Sequence, residues 1–261
     1  MKFLRMLWSP TLFVCFSLPV LAQDDSAQLE KIFLNLRSTD RKIRNQAFTQ
    51  LRNNPKYIED PRTPEQLLDF LAFEEERMRS RAKQGLDVED ELHEEASWFI
   101  WNIWKDRLTP QAFLIFARGS YNTGSRFARE LGARAGRFVM ELLAIATSQN
   151  EFERENATAL AGYALAEDQK SSVKLTDEER EALKRRLVAA STDLNLGVRY
   201  AVINSLALIG GRWSLDLLEQ MYEREHTFHP AGENPLYLES DLKLIKEAMR
   251  KVQATLDRPA R

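Results

Sequence analysis

Few residues in this chain could do chemistry, and their spacing argues against most reactions. The histidines are His93, His226 and His229, and the one cysteine is Cys15. His93-Glu94-Glu95-Ala96-Ser97 begins as the helical His-Glu-x-x-His zinc motif does, but Ser97 stands where the second imidazole is needed one turn on. A dinuclear carboxylate centre in a helical bundle needs Glu-x-x-His on each of two helices and a glutamate on each of two more. Glu223-Arg224-Glu225-His226 fits that spacing, and Asp90-Glu91-Leu92-His93 fits with aspartate for glutamate. Glu74 or Glu181 would have to complete the centre, and both lie in strongly charged stretches. His226, His229 and Glu233 offer a second possibility, a single zinc ion in the segment 227–238. No glycine-rich phosphate loop follows a strand and no nucleophile elbow is present. The chain therefore reads as non-catalytic: no residue takes a catalytic, cofactor or metal role, and no cofactor is expected.

Two further groups could bind rather than react. Trp98, Phe99, Trp101 and Trp104 crowd one helical stretch with Ile100 and Ile103 between them. They form either a packed core helix, the commoner fate of aromatics at this spacing, or an aromatic groove for a small ligand. Arg118, Arg126, Arg129, Arg134 and Arg137 form a basic stretch, read as a solvated face balanced by Glu130 and Glu141 or as a dock for an acidic partner. Arg77, Arg79, Arg81 and Lys83 follow Glu74, Glu75 and Glu76, a spacing that pairs charges within one helix. Asn156-Ala157-Thr158 is a glycosylation sequon inside a predicted helix, which makes it coincidental.

The elements that carry these residues are all helical. Apolar residues recur at three and four, never in alternation. The pattern predicts helices over 26–37, 40–53, 64–84, 88–105, 110–118, 125–147, 151–167, 177–191, 196–209, 214–226 and 240–256. Their starts are marked by Thr63-Pro64-Glu65-Gln66, Thr109-Pro110 and the capping box Thr176-Asp177-Glu178-Glu179. Glycine stops follow at Gly85, Gly119 and Gly210-Gly211. The long irregular segment 227–238 is the expected functional irregularity.

Ala128, Gly132 and Gly136 fall four apart on 125–147. They predict either a bare strip on which the 157–166 helix, with Ala157, Ala161 and Ala164, can approach closely, or a break in the helix.

Residues 1–22 form a separate object. Lys2 and Arg5 precede a mostly apolar run from Leu7 to Val20, and Val20-Leu21-Ala22 precedes polar Gln23-Asp24-Asp25. This is the pattern of a secretory signal peptide cleaved after about Ala22, too short for a membrane span. Cys15 lies inside it, so the exported chain would have no thiol and no disulfide. Loss of Lys2 and Arg5 takes the formal charge from −2 to −4, which speaks against a nucleic-acid partner.

Asp193-Leu194-Asn195-Leu196-Gly197-Val198-Arg199-Tyr200-Ala201, running on through Leu206 to Gly210, carries an aliphatic-arginine pair, a following alanine, a leucine and a glycine stop. It resembles the second helix of a HEAT repeat. Arg154, Ala157, Leu160 and Leu165 make a second candidate 45 residues earlier, within the ~40–47-residue period of such units. Ile43-Arg44, Ala47 and Leu51 make a third.

The resemblance, clearest over 177–225, implies an all-α, antiparallel helix-hairpin stack of the HEAT-like α-solenoid kind, with Val198, Ala201 and Leu206 inside. One helical domain over 23–256 with a frayed 257–261 tail is expected. The implied role is protein or peptide binding through the concave face or the connecting ridges, in the periplasm or outside the cell, without stable membrane insertion after cleavage. Neither the protein-binding residues nor an oligomeric state can be assigned.

Overall fold

The computed structural model describes residues 20–85, 91–119, 126–168, 174–227 and 235–257, and every regular element among them is an α-helix. Contacts divide the chain into two compact units, residues 1–63 and 64–261.

The first unit holds α1 (Val20–Leu36), α2 (Arg41–Arg52) and α3 (Pro55–Glu59). A short turn joins α1 to α2, and the two pack together. They bury Leu29, Ile32 and Leu36 from one and Ala47, Phe48 and Leu51 from the other. α3 was not expected. Asn54 caps it by accepting from the Lys56 amide, and Pro55 sits in the first turn, where a missing N–H costs nothing.

The second unit holds α4 (Thr63–Lys83), α5 (Glu91–Trp104), α6 (Pro110–Arg118), α7 (Arg126–Ala135), α8 (Val139–Ile145), α9 (Glu151–Asp168), α10 (Asp177–Ala190), α11 (Leu196–Ile209), α12 (Gly211–Thr227) and α13 (Pro235–Leu256). From α6 onward these pair as hairpins: α6 with α7, α8 with α9, α10 with α11, α12 with α13. The second helices pack side by side in the order α7, α9, α11, α13, and the first helices in the order α6, α8, α10. This two-layered stack of hairpins is the HEAT-like helical-repeat architecture that the sequence resembles. Val198, Ala201 and Leu206 are all buried in it.

α9 is the most enclosed helix of the layer, and its small residues explain why. A β-carbon on Gly132 of α7 would lie 2.3 Å from the Tyr163 Cβ of α9, and one on Gly162 of α9 would lie 2.2 Å from the Ser205 Oγ of α11. Only glycine permits either approach. Ala157, Leu160, Ala161 and Ala164 are buried along the same helix.

The structure corrects several boundaries. The segment 125–147 is not one helix. It breaks at Gly136, and Arg137 and Phe138 close tight turns on the Arg134 and Ala135 carbonyls. Phe138 is buried there, stacked 4.7 Å from Phe113, so the bend carries the chain from α7 in one layer to α8 in the other. Both expectations for the glycine strip thus hold in part: Gly132 makes a close contact with the expected helix, but against Tyr163 rather than the alanine face, and Gly136 lies at the break.

α12 begins at Gly211, three residues early. Gly210 and Gly211 have φ of +69° and +79°, a left-handed backbone open to glycine, so almost no loop is needed. α13 begins at Pro235, so 235–238 is helix rather than loop.

Candidate functional site

The arginines singled out in the sequence share one local construction. Arg44 Nη1 donates to the carbonyls of Ser38 and Thr39 at 2.9 and 3.0 Å. Arg154 Nη1 does the same to Ser148 and Gln149 at 3.1 and 3.2 Å, and Arg199 Nη1 to Asp193 and Leu194 at 3.1 and 3.3 Å. Four residues before each arginine stands Asp40, Asn150 or Asn195, whose side chain accepts an amide of the first turn. Two residues earlier again, Ser38, Ser148 or Asp193 accepts that capping residue's own amide. The turn carbonyls are thus satisfied from within the following helix.

Between hairpins the same residues form a polar seam. Arg154 of α9 grips Asp193, in the turn before α11, with two parallel bonds of 2.8 and 2.9 Å. The Arg154 guanidinium holds the Asp193 carboxyl below its ordinary range, helped by the Asn195 amide. Arg199 of α11 lies 3.7 Å from Glu225 of α12 and 3.8 Å from Asp241 of α13. Burial pushes the Asp241 carboxyl up, against the Tyr200 hydroxyl that donates to it and the nearby Arg199 charge. Arg224 donates to the Ser191 carbonyl, tying α12 to the α10–α11 turn. Beside the pair, Glu155 is pushed up by burial, and its carboxylate fills the space that a side chain at Gly197 would take.

The outer edge of this seam carries exposed apolar side chains. Leu194 in the α10–α11 turn is 98% exposed and Phe152 in the first turn of α9 is 52% exposed, with Val188 exposed near the end of α10.

The aromatic residues belong to the core, which removes Trp101 and Trp104 from any ligand groove. Trp101 is fully buried and meets Phe116 and Phe127 edge-on at 5.5 Å each. Its Nε1 donates to Glu130 at 3.1 Å, and Trp104 Nε1 donates to the Pro64 carbonyl at 3.1 Å. Trp98 is half-buried, edge-on to Phe127 and under Arg126.

In the basic stretch, Arg126 pairs with Glu130 at 2.9 Å. Arg134 donates to the Lys105 and Glu130 carbonyls while lying over Trp101, and Arg137 lies over Phe138. Arg126 and Arg137 are exposed, with Glu130 balancing Arg126 as the solvated-face reading expects, while Arg134 is half-buried.

Glu74 and Glu75 are buried. Glu74 pairs with Arg77 at 2.9 Å, while Arg79 joins Glu75 at 3.4 Å to Glu153 of α9 at 2.9 Å. The charges of α4 thus pair three and four apart as the spacing predicts, and Arg79 in addition reaches across to α9. Glu181 pairs with Lys184 at 2.8 Å, so neither Glu74 nor Glu181 points into a shared carboxylate centre. Among the described residues no group of three or more histidines, cysteines or carboxylates is placed to hold a metal ion. Asp90, His229, Glu233 and the side chains of His93 and His226 lie outside the described residues.

Asn156 and Thr158 of the sequon are buried, with Asn156 Nδ2 donating to the Gly119 carbonyl, so the sequon is coincidental. Among the described residues no helix is long and apolar enough to cross a membrane.

No family model and no curated protein matches the chain. Among solved structures it is similar to an engineered protein from the Northeast Structural Genomics Consortium, at 16% identity and TM-score 0.37, over 87% of this chain and 97% of that one. It is also similar to a designed armadillo repeat protein in complex with the peptide (KR)4, at 13% identity and TM-score 0.34, over 85% of this chain and 99% of that one. At such scores neither likeness bears on the fold, which rests on the two layers and the repeated arginine turn.

Sequence reasoning located all three arginines of that turn but missed Gly162 and the buried Arg79–Glu153 link. A glycine amid alanines was the available signal for Gly162.

Proposed function

We propose that this chain is an exported, non-catalytic scaffold that binds another protein or peptide through the ridge of turns between its stacked helices. The observation that carries the reading is Leu194. It is nearly fully exposed at the tip of a turn whose polar groups are satisfied by Arg199 and Asn195. Its side chain plays no part in the hydrogen bonding of the turn, and with exposed Phe152 and Val188 on the neighbouring helices it gives this ridge an apolar character that suits a binding surface. Export is supported by the arrangement of Lys2, Arg5, the apolar run and Val20-Leu21-Ala22.

The test is photo-crosslinking from a benzophenone amino acid placed at Leu194 or Gln149, with the protein in its exported fraction. A discrete crosslinked partner is expected. Turnover of a substrate without any partner would overturn the reading. The mass of the purified protein tests export, with the chain expected to begin at about Gln23.

A further inference from the structure

The last hairpin leaves one helix face open. The second helices meet in the order α7, α9, α11, α13, and among the described residues no further helix follows α13 in that layer. α13 seats Asp241, Ile245, Ala248 and Val252 against the stack as one buried line at helical spacing. A second line runs about a third of a turn round the same helix. There Glu239, Leu242, Lys243, Lys246, Met249 and Arg250 line an open groove of about 690 Å³. Every one of these side chains is accessible. Lys243, Lys246 and Arg250 are exposed, and Leu242 and Met249 are half-buried beside them.

The charges of this face do not cancel. Lys251, on the other side of α13, takes Glu247 at 3.0 Å. Lys243 and Arg250 act on Glu247 only through space and form no ion pair among the described residues. Glu239 stands one turn before Lys243 without pairing to it. Lys246 lies 5.1 Å over the Tyr222 ring of α12, a contact that holds the ammonium and leaves its charge in place. The groove thus sets three cations against one carboxylate, with an aliphatic and a thioether side chain between them.

We propose that this face of α13 docks an acidic amphipathic helix of a partner protein, laid along α13 as a further helix of the layer would lie. Carboxylates of that helix meet Lys243, Lys246 and Arg250, and its apolar residues at three and four cover Leu242 and Met249. Charge complementarity selects an acidic segment over a basic one. Two half-buried apolar side chains with no aromatic among them are too little to enter a bilayer. The surface shares no residue with the ridge at Leu194 and does not depend on it.

The test is fluorescence polarisation with the full chain and two labelled peptides, (Glu-Leu-Ala-Ala-Glu-Leu-Leu)2 and (Lys-Leu-Ala-Ala-Lys-Leu-Leu)2. Sedimentation with vesicles of equal parts phosphatidylcholine and phosphatidylserine is run beside it. The acidic peptide is expected to bind saturably, and the lysine peptide and the vesicles not. Lys243→Glu and Arg250→Glu should each weaken the acidic peptide about tenfold, the loss of one charged contact. Met249→Ser should also weaken it. Lys251→Gln alters a cation of the same helix on its other side and should leave binding unchanged. Lys243 and Arg250 are exposed, so both variants should keep the circular dichroism and Tm of the parent.

The proposal is overturned if the acidic peptide does not bind, if the lysine peptide binds as tightly, or if folded Lys243→Glu and Arg250→Glu both bind as the parent does. It is equally overturned if Lys251→Gln weakens binding as much as Arg250→Glu, which would mean diffuse charge rather than a groove. Vesicles that sediment the parent but not Arg250→Glu would assign the face to lipid instead. Failure to crosslink at Leu194 retires the ridge alone, and failure of the acidic peptide retires the α13 dock alone.

Discussion

Gly162 of α9 stands directly against Ser205 of α11. A β-carbon at 162 would lie 2.3 Å from the Ser205 Cβ and 2.9 Å from its Cα, and Ser205 Oγ already donates to the Thr158 carbonyl at 3.3 Å. Neither backbone nor Cβ can swing aside, so the hairpins α8/α9 and α10/α11 meet at a fixed separation.

Gly162→Ala should therefore destabilise the protein even though alanine favours helix by about 1 kcal/mol. Overpacking of this kind costs about 1–3 kcal/mol net of relaxation. Ser205→Gly in the same chain should recover part of the loss by moving the small residue across the interface. Urea unfolding of the single and double variants checks both. An unchanged midpoint for Gly162→Ala would mean the helices are free to separate.

The Arg154–Asp193 pair should account for part of the acid sensitivity of folding. Its side chains are 19% and 12% exposed and joined by two bonds. Arg154 also ties the Ser148 and Gln149 carbonyls, so Arg154→Ala strands several acceptors and should cost about 2–3 kcal/mol. The Asp193 carboxyl is held below its unfolded value, so its contribution is complete above that value, ~3.9, and is lost as pH falls through the folded one. Asp193→Asn should lower stability at pH 7 and show a smaller further loss on acidification below about pH 4 than the parent does. Chemical unfolding at pH 7, 4 and 3 gives the comparison.

The helix content and the positions of the three arginines were legible because both are local. Apolar residues at three and four, and an arginine followed by an alanine and a leucine on one helix, need no knowledge of the rest of the chain. The layer order was not legible, since α7, α9, α11 and α13 meet through contacts between distant residues such as Gly132 and Tyr163. The break at Gly136 was visible only as a choice between two outcomes, and Phe138 packing on Phe113 decided it. Burial of Glu74 and Glu75 could not be read, because a run of alternating charge blocks looks the same on a solvated helix as on one facing Glu153.

The tryptophans should divide by burial. Trp101→Ala removes a fully buried ring with two edge-on neighbours and a bond to Glu130, and should cost about 3–5 kcal/mol. Trp98→Ala should cost clearly less, because that ring is half-buried under Arg126. In acrylamide quenching, Trp98→Phe should remove part of the accessible fluorescence and Trp104→Phe part of the protected fluorescence. Equal quenching of all rings would return the aromatic stretch to consideration as a groove.

Asp241 offers the opposite pH behaviour to Asp193. Burial raises its carboxyl in the folded protein, so its contribution to stability is complete below the unfolded value, ~3.9, and is lost as pH rises through the folded one. At pH 7 the carboxylate is thus held at a disadvantage, offset only partly by Tyr200 and by Arg199 at 3.8 Å. Asp241→Asn keeps an acceptor for the Tyr200 hydroxyl and removes the buried charge. It should stabilise the protein at pH 7 by about 0.5–1 kcal/mol, with the difference closing near pH 3 where the parent side chain is also neutral. Tyr200→Phe, which takes away the donor and leaves the carboxylate, should be destabilising at pH 7 and much less so at pH 3. Thermal unfolding of the parent and both variants at the two pH values decides it. A loss of stability for Asp241→Asn at pH 7 would mean that attraction to Arg199 outweighs the penalty of burial at this corner of α11 and α13.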